Sequence, residues 1–226
     1  MLALPKEAHP DPIHRLVPSR FPPVNLFDFA RNREELEAMA ELEGYTNDRL
    51  RQQCGILSMV PEDQARYGPG YTPIMAAFTH IGFPSRFTDG QYGVYYGARE
   101  LGVALTEVAF HRAVFMAASN ERPTDITMRQ YITSPDPNVT FGVITRDTHP
   151  DCLDPDTARY APAQKLAAQW RLQGEFGIHY PSVRSHRGDC LAVLRPDALG
   201  PATQGGHYSL IWDGERISHR YELREV

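Results

Sequence analysis

Between Arg86 and His111 the chain reads RFTDGQYGVYYGARELGVALTEVAFH. Arg86, a tyrosine pair at Tyr95 and Tyr96, and Glu107 follow one another at spacings of about ten and then eleven. An arginine at the entrance to a strand presents a planar fork of donors that fits phosphate. A carboxylate inside an apolar helical run is costly to keep without a partner or a task. A cation, an aromatic plate and a carboxylate are three things a dinucleotide-cleaving site can use. A second polar cluster, YPSVRSHRG at 180–188, holds Ser182, Arg184 and Arg187. Hydroxyls and guanidinium groups of this kind also suit phosphate.

Each of these residues has a purely structural reading as well. Glu107 and His111 stand four apart, on one helical stripe, and can form a local pair. Glu107 can equally bridge to Arg112 or to a distant arginine, since buried charges are usually paired. Periodicity alone favours that reading. Arg86 lies between PSR and TDG turn signals and can sit on the surface. Tyr95 and Tyr96 point to opposite faces of a strand, one to the core and the other free to face a cleft, and the structural reading of each alone is core packing with a hydrogen-bonded hydroxyl. Taken alone, the 180–188 segment reads as a polar surface loop.

The elements that must hold these residues follow from the pattern. Residues 1–25 contain six prolines and little periodicity, which predicts an extended arm, crossing a surface or mobile. Asn32 and Glu35 form a near capping box for a helix that stops at Gly44. TNDRL at 46–50 signals a second helical start, 61–73 reads as a loop, and 74–80 is ambiguous. A strand is predicted over GVYY at 93–96, broken by Gly97, and then a long helix over 98–117. That helix is apolar around most of its circumference, which predicts burial on nearly all sides. Alternation at 125–133 predicts a half-buried strand. Further strands are expected at 139–145, 177–183, 190–194 and 208–212, with a helix over 156–173. Asp213-Gly214 is the strongest hairpin signal in the chain. Strands outnumber crossover helices towards the C-terminus, which favours an α+β fold with largely antiparallel sheet.

Composition narrows the function classes. The 226 residues are 42% hydrophobic, enough for one ordinary domain with an extension, and we place the division at 1–60 and 61–226. The net charge of −5 shows no basic stripe, which argues against direct nucleic-acid binding. Cys54, Cys152 and Cys190 are odd in number and widely spaced, so buried thiols in a reducing cytoplasm are expected, not a disulfide framework. The N-terminus does not read as a signal peptide, and no run approaches the roughly 20 apolar residues that span a bilayer. Phosphate-loop, dinucleotide-fingerprint, zinc-protease and nucleophile-elbow motifs are absent. No histidine pair has convincing metal-ligand spacing, so neither a metal nor a cofactor is expected.

The combination of Arg86, GVYYGARELGVALTEVAFHR and YPSVR at 180–184 resembles the RES-domain family, toxins of a bacterial toxin–antitoxin class. VPSRFPPVNLFD and TNDRL also look like longer members, so the resemblance covers roughly 17–200. It implies a fold similar to ADP-ribosyltransferases, with two small, mainly antiparallel sheets, flanking helices and an N-terminal helical extension. It implies NAD as substrate, nicotinamide release, and either phosphate, water or a protein as acceptor. It places the family arginine on Arg86, the tyrosine on Tyr96, the glutamate on Glu107 and the serine on Ser182, with His111 as a further match. Arg184 and Arg187 are added here as candidates for recruiting inorganic phosphate. A cognate Xre-type antitoxin, whose helix-turn-helix region would make any DNA contact, is the implied partner. A protein ADP-ribosyltransferase and a non-catalytic module of the same fold are the competing readings.

Overall fold

The N-terminal arm is woven into the sheet. In the computed structural model, which describes residues 4–9, 11–19, 26–44 and 56–224, the arm contributes β1 (Lys6–Glu7) and β2 (Ile13–Pro18). Next come α1 (Leu26–Phe29), α2 (Arg33–Gly44), α3 (Thr72–Thr79), β3 (Tyr95–Ala98), α4 (Leu101–Ala118), β4 (Thr124–Thr133) and β5 (Phe141–Val143). Then α5 (Ala161–Leu172), β6 (Gly177–Pro181), β7 (Asp189–Val193), β8 (Thr203–Trp212) and β9 (Ile217–Leu223) complete the order. TNDRL and Cys54 lie outside the described residues, while Cys152 and Cys190 are free and buried.

Among the described residues the strands form one nine-stranded sheet in the order β1-β5-β6-β7-β3-β2-β4-β8-β9, antiparallel except for β5 beside β6. The expectation of two sheets is therefore corrected. The reason is β2, which pairs with β4 along its whole length but meets β3 only at His14 opposite Ala98. A five-strand half and a four-strand half are thus joined by one residue pair. The seam crosses the proposed boundary at 60/61, because β2 comes from the arm and both its neighbours from the body of the chain.

Alternation places one core on each face. Phe87, Met128, Ile178, Leu210 and Trp170 form one, covered by α4 and α5. Ile13, Tyr95, Phe141 and Leu191 form the other, with Phe27, Leu36 and Ile74 from α1–α3. Tyr95 is the core tyrosine, with the Arg15 guanidinium 4.7 Å from its ring centroid.

Local signals resolve as follows. Asn32 accepts the Glu35 N–H at 2.8 Å, and the Glu35 carboxylate reaches back to the Arg31 N–H at 2.9 Å. The ambiguous segment at 74–80 falls in α3, started by Pro73. Gly97 does not break β3. It lies inside it, where a Cβ would come within 2.8 Å of Ile13 Cδ1, so glycine is what lets β2 lie alongside. The Asp213-Gly214 hairpin forms between β8 and β9, with the Asp213 carboxylate accepting the N–H groups of Glu215 and Arg216 at 2.9 Å.

The long helix departs most from expectation. Only Val103, Ala104 and Met116 of α4 are buried, and Val114 and Phe115 are exposed. One side of the helix lies on the sheet and the other is apolar but uncovered. At 18 residues and mean hydropathy 1.4 it is, by length and composition alone, apolar enough to cross a membrane.

Candidate active site

The seam between β2 and β3 opens into a cavity of about 270 Å³ roofed by α4. Its walls bring together Arg86, Tyr96, Glu107 and His111, with Ser85, His14 and Tyr180 among the further lining residues.

Glu107 sits in the second turn of α4, where its side chain meets the loop after β6. Its Oε1 accepts hydrogen bonds from Ser182 Oγ at 2.6 Å and from the N–H groups of Val183 and Arg184 at 3.2 and 3.3 Å. Its Oε2 is 3.9 Å from His111 Nε2. One oxygen is thus fixed by three donors, and the other stays available to the cavity. Ser182 is itself buried, and its Oγ accepts the Ser185 N–H at 2.9 Å while its carbonyl accepts Arg146 Nη2 at 2.8 Å. The bond from Ser182 to Glu107 spans the helix and the 180–188 loop, and it is the reason both polar clusters share one site.

Arg86 is buried, with Nη1 donating to the carbonyls of Cys152 and Asp154, both at 2.9 Å. Its guanidinium lies over the Tyr160 ring, 4.5 Å from the centroid. Arg86 is therefore not the surface arginine that the flanking turns allowed. The fork is anchored at one tip, and Arg86 is among the residues that line the cavity.

The loop carrying Arg86 is held from three directions. Tyr96 Oη shares a 2.7 Å hydrogen bond with Ser85 Oγ and accepts the Phe87 N–H at 3.0 Å. Tyr92 Oη donates to the Phe87 carbonyl at 2.6 Å. Gln164 Nε2 donates to the carbonyls of Ser85 and Thr88 at 3.0 and 3.1 Å. Tyr96 thus grips both neighbours of Arg86. Burial is the main force that pushes its phenol up to about 12, so the ring is a neutral plate and not a base. Tyr96→Phe is expected to loosen the loop, lowering kcat/KM for the cavity's substrate about tenfold, with a stability loss of about 1 kcal/mol. Steady-state kinetics and thermal unfolding check both.

His111 is held below its ordinary pKa, first by burial, with Glu107 opposing and Arg184, Arg86 and Arg112 adding to the depression. The positive potential of those guanidinium groups suits an anion. Arg184 lies 3.5 Å from the Phe110 ring centroid, with Nη2 3.5 Å from Tyr160 Oη, and its buried Nε has no hydrogen-bond partner among the described residues. Arg187 is exposed, and neither Arg184 nor Arg187 is among the residues that line the cavity.

The sequence reading missed Ser85, Tyr160, Gln164 and His14. Ser85 adjoins Arg86 and lies in the PSR turn signal. The others come from distant segments with no local motif to mark them.

A curated relative, "Uncharacterized protein y4oC" of Sinorhizobium fredii (strain NBRC 101917 / NGR234), is 29% identical over 222 residues, covering 96% of this chain and 89% of the relative. A chain of the crystal structure of the M. tuberculosis MbcT-MbcA toxin-antitoxin complex aligns with 96% of this chain and 86% of its own length, at 9% identity and TM-score 0.45. The family model described as RES domain matches residues 63–213, which include Arg86, Tyr96, Glu107, His111 and Ser182. The chain belongs to the RES domain family.

Proposed function

We propose that this protein is the toxin of a type II toxin–antitoxin system and that it cleaves the nicotinamide–ribose bond of cytoplasmic NAD, with inorganic phosphate as acceptor. The observation that carries this reading is the Glu107 carboxylate, fixed through Oε1 by Ser182 and two backbone N–H groups beside a cavity that Arg86 and Tyr96 also line. Breaking the bond sends its electron pair to the nicotinamide nitrogen and leaves oxocarbenium-like charge on the ribose. A preorganised carboxylate stabilises such charge and can grip a ribose hydroxyl. The cavity volume suits the nicotinamide-ribose end of a dinucleotide. Arg86 then holds the pyrophosphate with the part of its fork not spent on Cys152 and Asp154. Tyr96 supplies the aromatic wall. A phosphate oxygen attacks the ribose carbon, giving ADP-ribose 1″-phosphate and nicotinamide.

Of the two candidate phosphate arginines, this reading uses Arg184, whose buried Nε, unpartnered among the described residues, and closeness to His111 suit an anion. Arg184→Ala is expected to raise the phosphate concentration needed for half-maximal NAD loss about tenfold, and Arg187→Ala to leave it within about twofold. An unchanged phosphate dependence in both would remove these arginines from the scheme. The uncovered apolar side of α4, with Val114 and Phe115 exposed, supports a protein partner such as an Xre-type antitoxin.

The deciding experiment incubates the purified protein with NAD, with and without phosphate, and identifies products by mass. Nicotinamide with ADP-ribose 1″-phosphate, formed only with phosphate, is the expected result. Free ADP-ribose or a modified protein would reassign the acceptor. A folded protein that releases no nicotinamide would sink the reading.

A further inference from the structure

The cavity has a wall that the family match does not reach. His14 lines it, and His14 comes from β2, upstream of residues 63–213. Its ring Nδ1 is 2.8 Å from Gln130 Nε2 on β4.

The donor and acceptor in that bond follow from Gln130's other contacts. Its Oε1 accepts the Gly206 N–H at 3.0 Å, with the Tyr208 hydroxyl at 3.5 Å. A backbone N–H can only donate, so the oxygen end of the amide must face Gly206. The amide nitrogen then faces His14, and it too can only donate. His14 Nδ1 is therefore the acceptor, and in the neutral imidazole the proton sits on Nε2. Burial holds His14 below its ordinary pKa, opposed by Glu100, so the neutral ring is the form present at pH 7. Among the described residues Nε2 makes no hydrogen bond.

The surroundings are built for this arrangement. Gln130 is buried and sits at a register shift between Arg129 and Tyr131, where β8 bulges and sets Gly205 and Gly206 opposite it. A bulge of this kind re-aims a side chain. Gly205 on β8 makes room, since a Cβ there would come within 2.4 Å of Gln130 Oε1.

We propose that His14 is a binding residue of the cavity, donating its Nε2–H to an uncharged acceptor oxygen, hydroxyl or carbonyl, of a bound nucleotide, with Gln130 as the positioning residue that fixes its tautomer. This rests on reading the cavity as an NAD site. A neutral donor of fixed direction selects such an oxygen without adding charge to a site already rich in arginine.

Two measurements test it. Long-range proton–nitrogen NMR of the intact protein, with the His14 signal identified by comparison with His14→Ala, should show the Nε2–H tautomer. In Gln130→Glu the carboxylate can only accept, so His14 should become the Nδ1–H tautomer or imidazolium. A wild-type ring protonated on Nδ1 would overturn the proposal. The second measurement is functional: His14→Ala should raise KM for NAD about five- to tenfold with kcat within about threefold, the size of one neutral hydrogen bond. Unchanged KM in a folded variant would overturn it. If the wild type does not turn over NAD, the functional reading fails by itself, and ADP-ribose binding by calorimetry decides the rest. Tighter binding by the wild type than by His14→Ala supports the proposal, and equal or absent binding ends it.

Discussion

Glu107→Gln lowers NAD turnover by about 10³-fold or more, while its melting temperature stays within about 4 °C of the wild type. The two expectations rest on different atoms of one side chain. Glutamine keeps a carbonyl oxygen that can still accept from Ser182 Oγ and the N–H groups of Val183 and Arg184, so the link between α4 and the 180–188 loop survives. The second atom becomes an amide nitrogen, which carries no negative charge to offer an oxocarbenium-like ribose and repels one by its dipole. A retained fold with lost turnover points to charge at the reacting carbon. Normal turnover by a folded variant would return Glu107 to the role of a structural tie. Ser182→Ala belongs in the same series, because it removes the shortest of the three bonds without touching the charge.

Arg86→Lys is the second large effect, and it falls on stability and activity together. Arg86 Nη1 serves two carbonyls, and the residue is also among those that line the cavity. A lysine ammonium is one point charge without the planar fork, and it cannot reach the Cys152 and Asp154 carbonyls and still present donors to a ligand. Losing charge-assisted bonds in a buried place costs roughly 2–3 kcal/mol, equivalent to about 4–12 °C in Tm for a chain of this size. If Arg86 also holds the pyrophosphate, kcat/KM for NAD falls by at least about 30-fold, the kinetic equivalent of some 2 kcal/mol. Thermal unfolding and kinetics on one preparation separate the two. A lower Tm with unchanged kcat/KM would make Arg86 a structural arginine only.

The residues of the candidate site are legible in the sequence because they cluster in two short stretches, and because arginine, tyrosine, glutamate and serine are costly to place in apolar surroundings without use. Choosing between Tyr95 and Tyr96 needed the resemblance, and the structure shows why the sequence left it open. Both are largely enclosed, and only the direction of the pleat sends Tyr95 into the core and Tyr96 to the cavity. The α+β class and most strands were legible from alternation. The count of sheets was not, because β2 bridges the halves through pairings that no local pattern encodes. The burial of α4 is not legible for a related reason. Apolar side chains around a helix do not encode whether anything lies against its second face. Gly97 looks like a strand breaker in the sequence because glycine's conformational freedom and its lack of bulk give the same letter. His14 carried no signal, since its partner Gln130 lies 116 residues away.

The seam at His14 and Ala98 also sets an order of assembly. Synthesis delivers residues 13–18 before either strand that flanks them, and they must wait for 95–98 and then 124–133. Until they dock, β3 and β4 each present a bare edge in the middle of what becomes one sheet, the kind of edge that pairs with other chains. Joining segments so distant in sequence carries a loop-closure cost and slows folding. The cavity therefore comes into being only when residues 13–18 meet strands that are made much later. An unfinished or misfolded copy has no complete cavity wall.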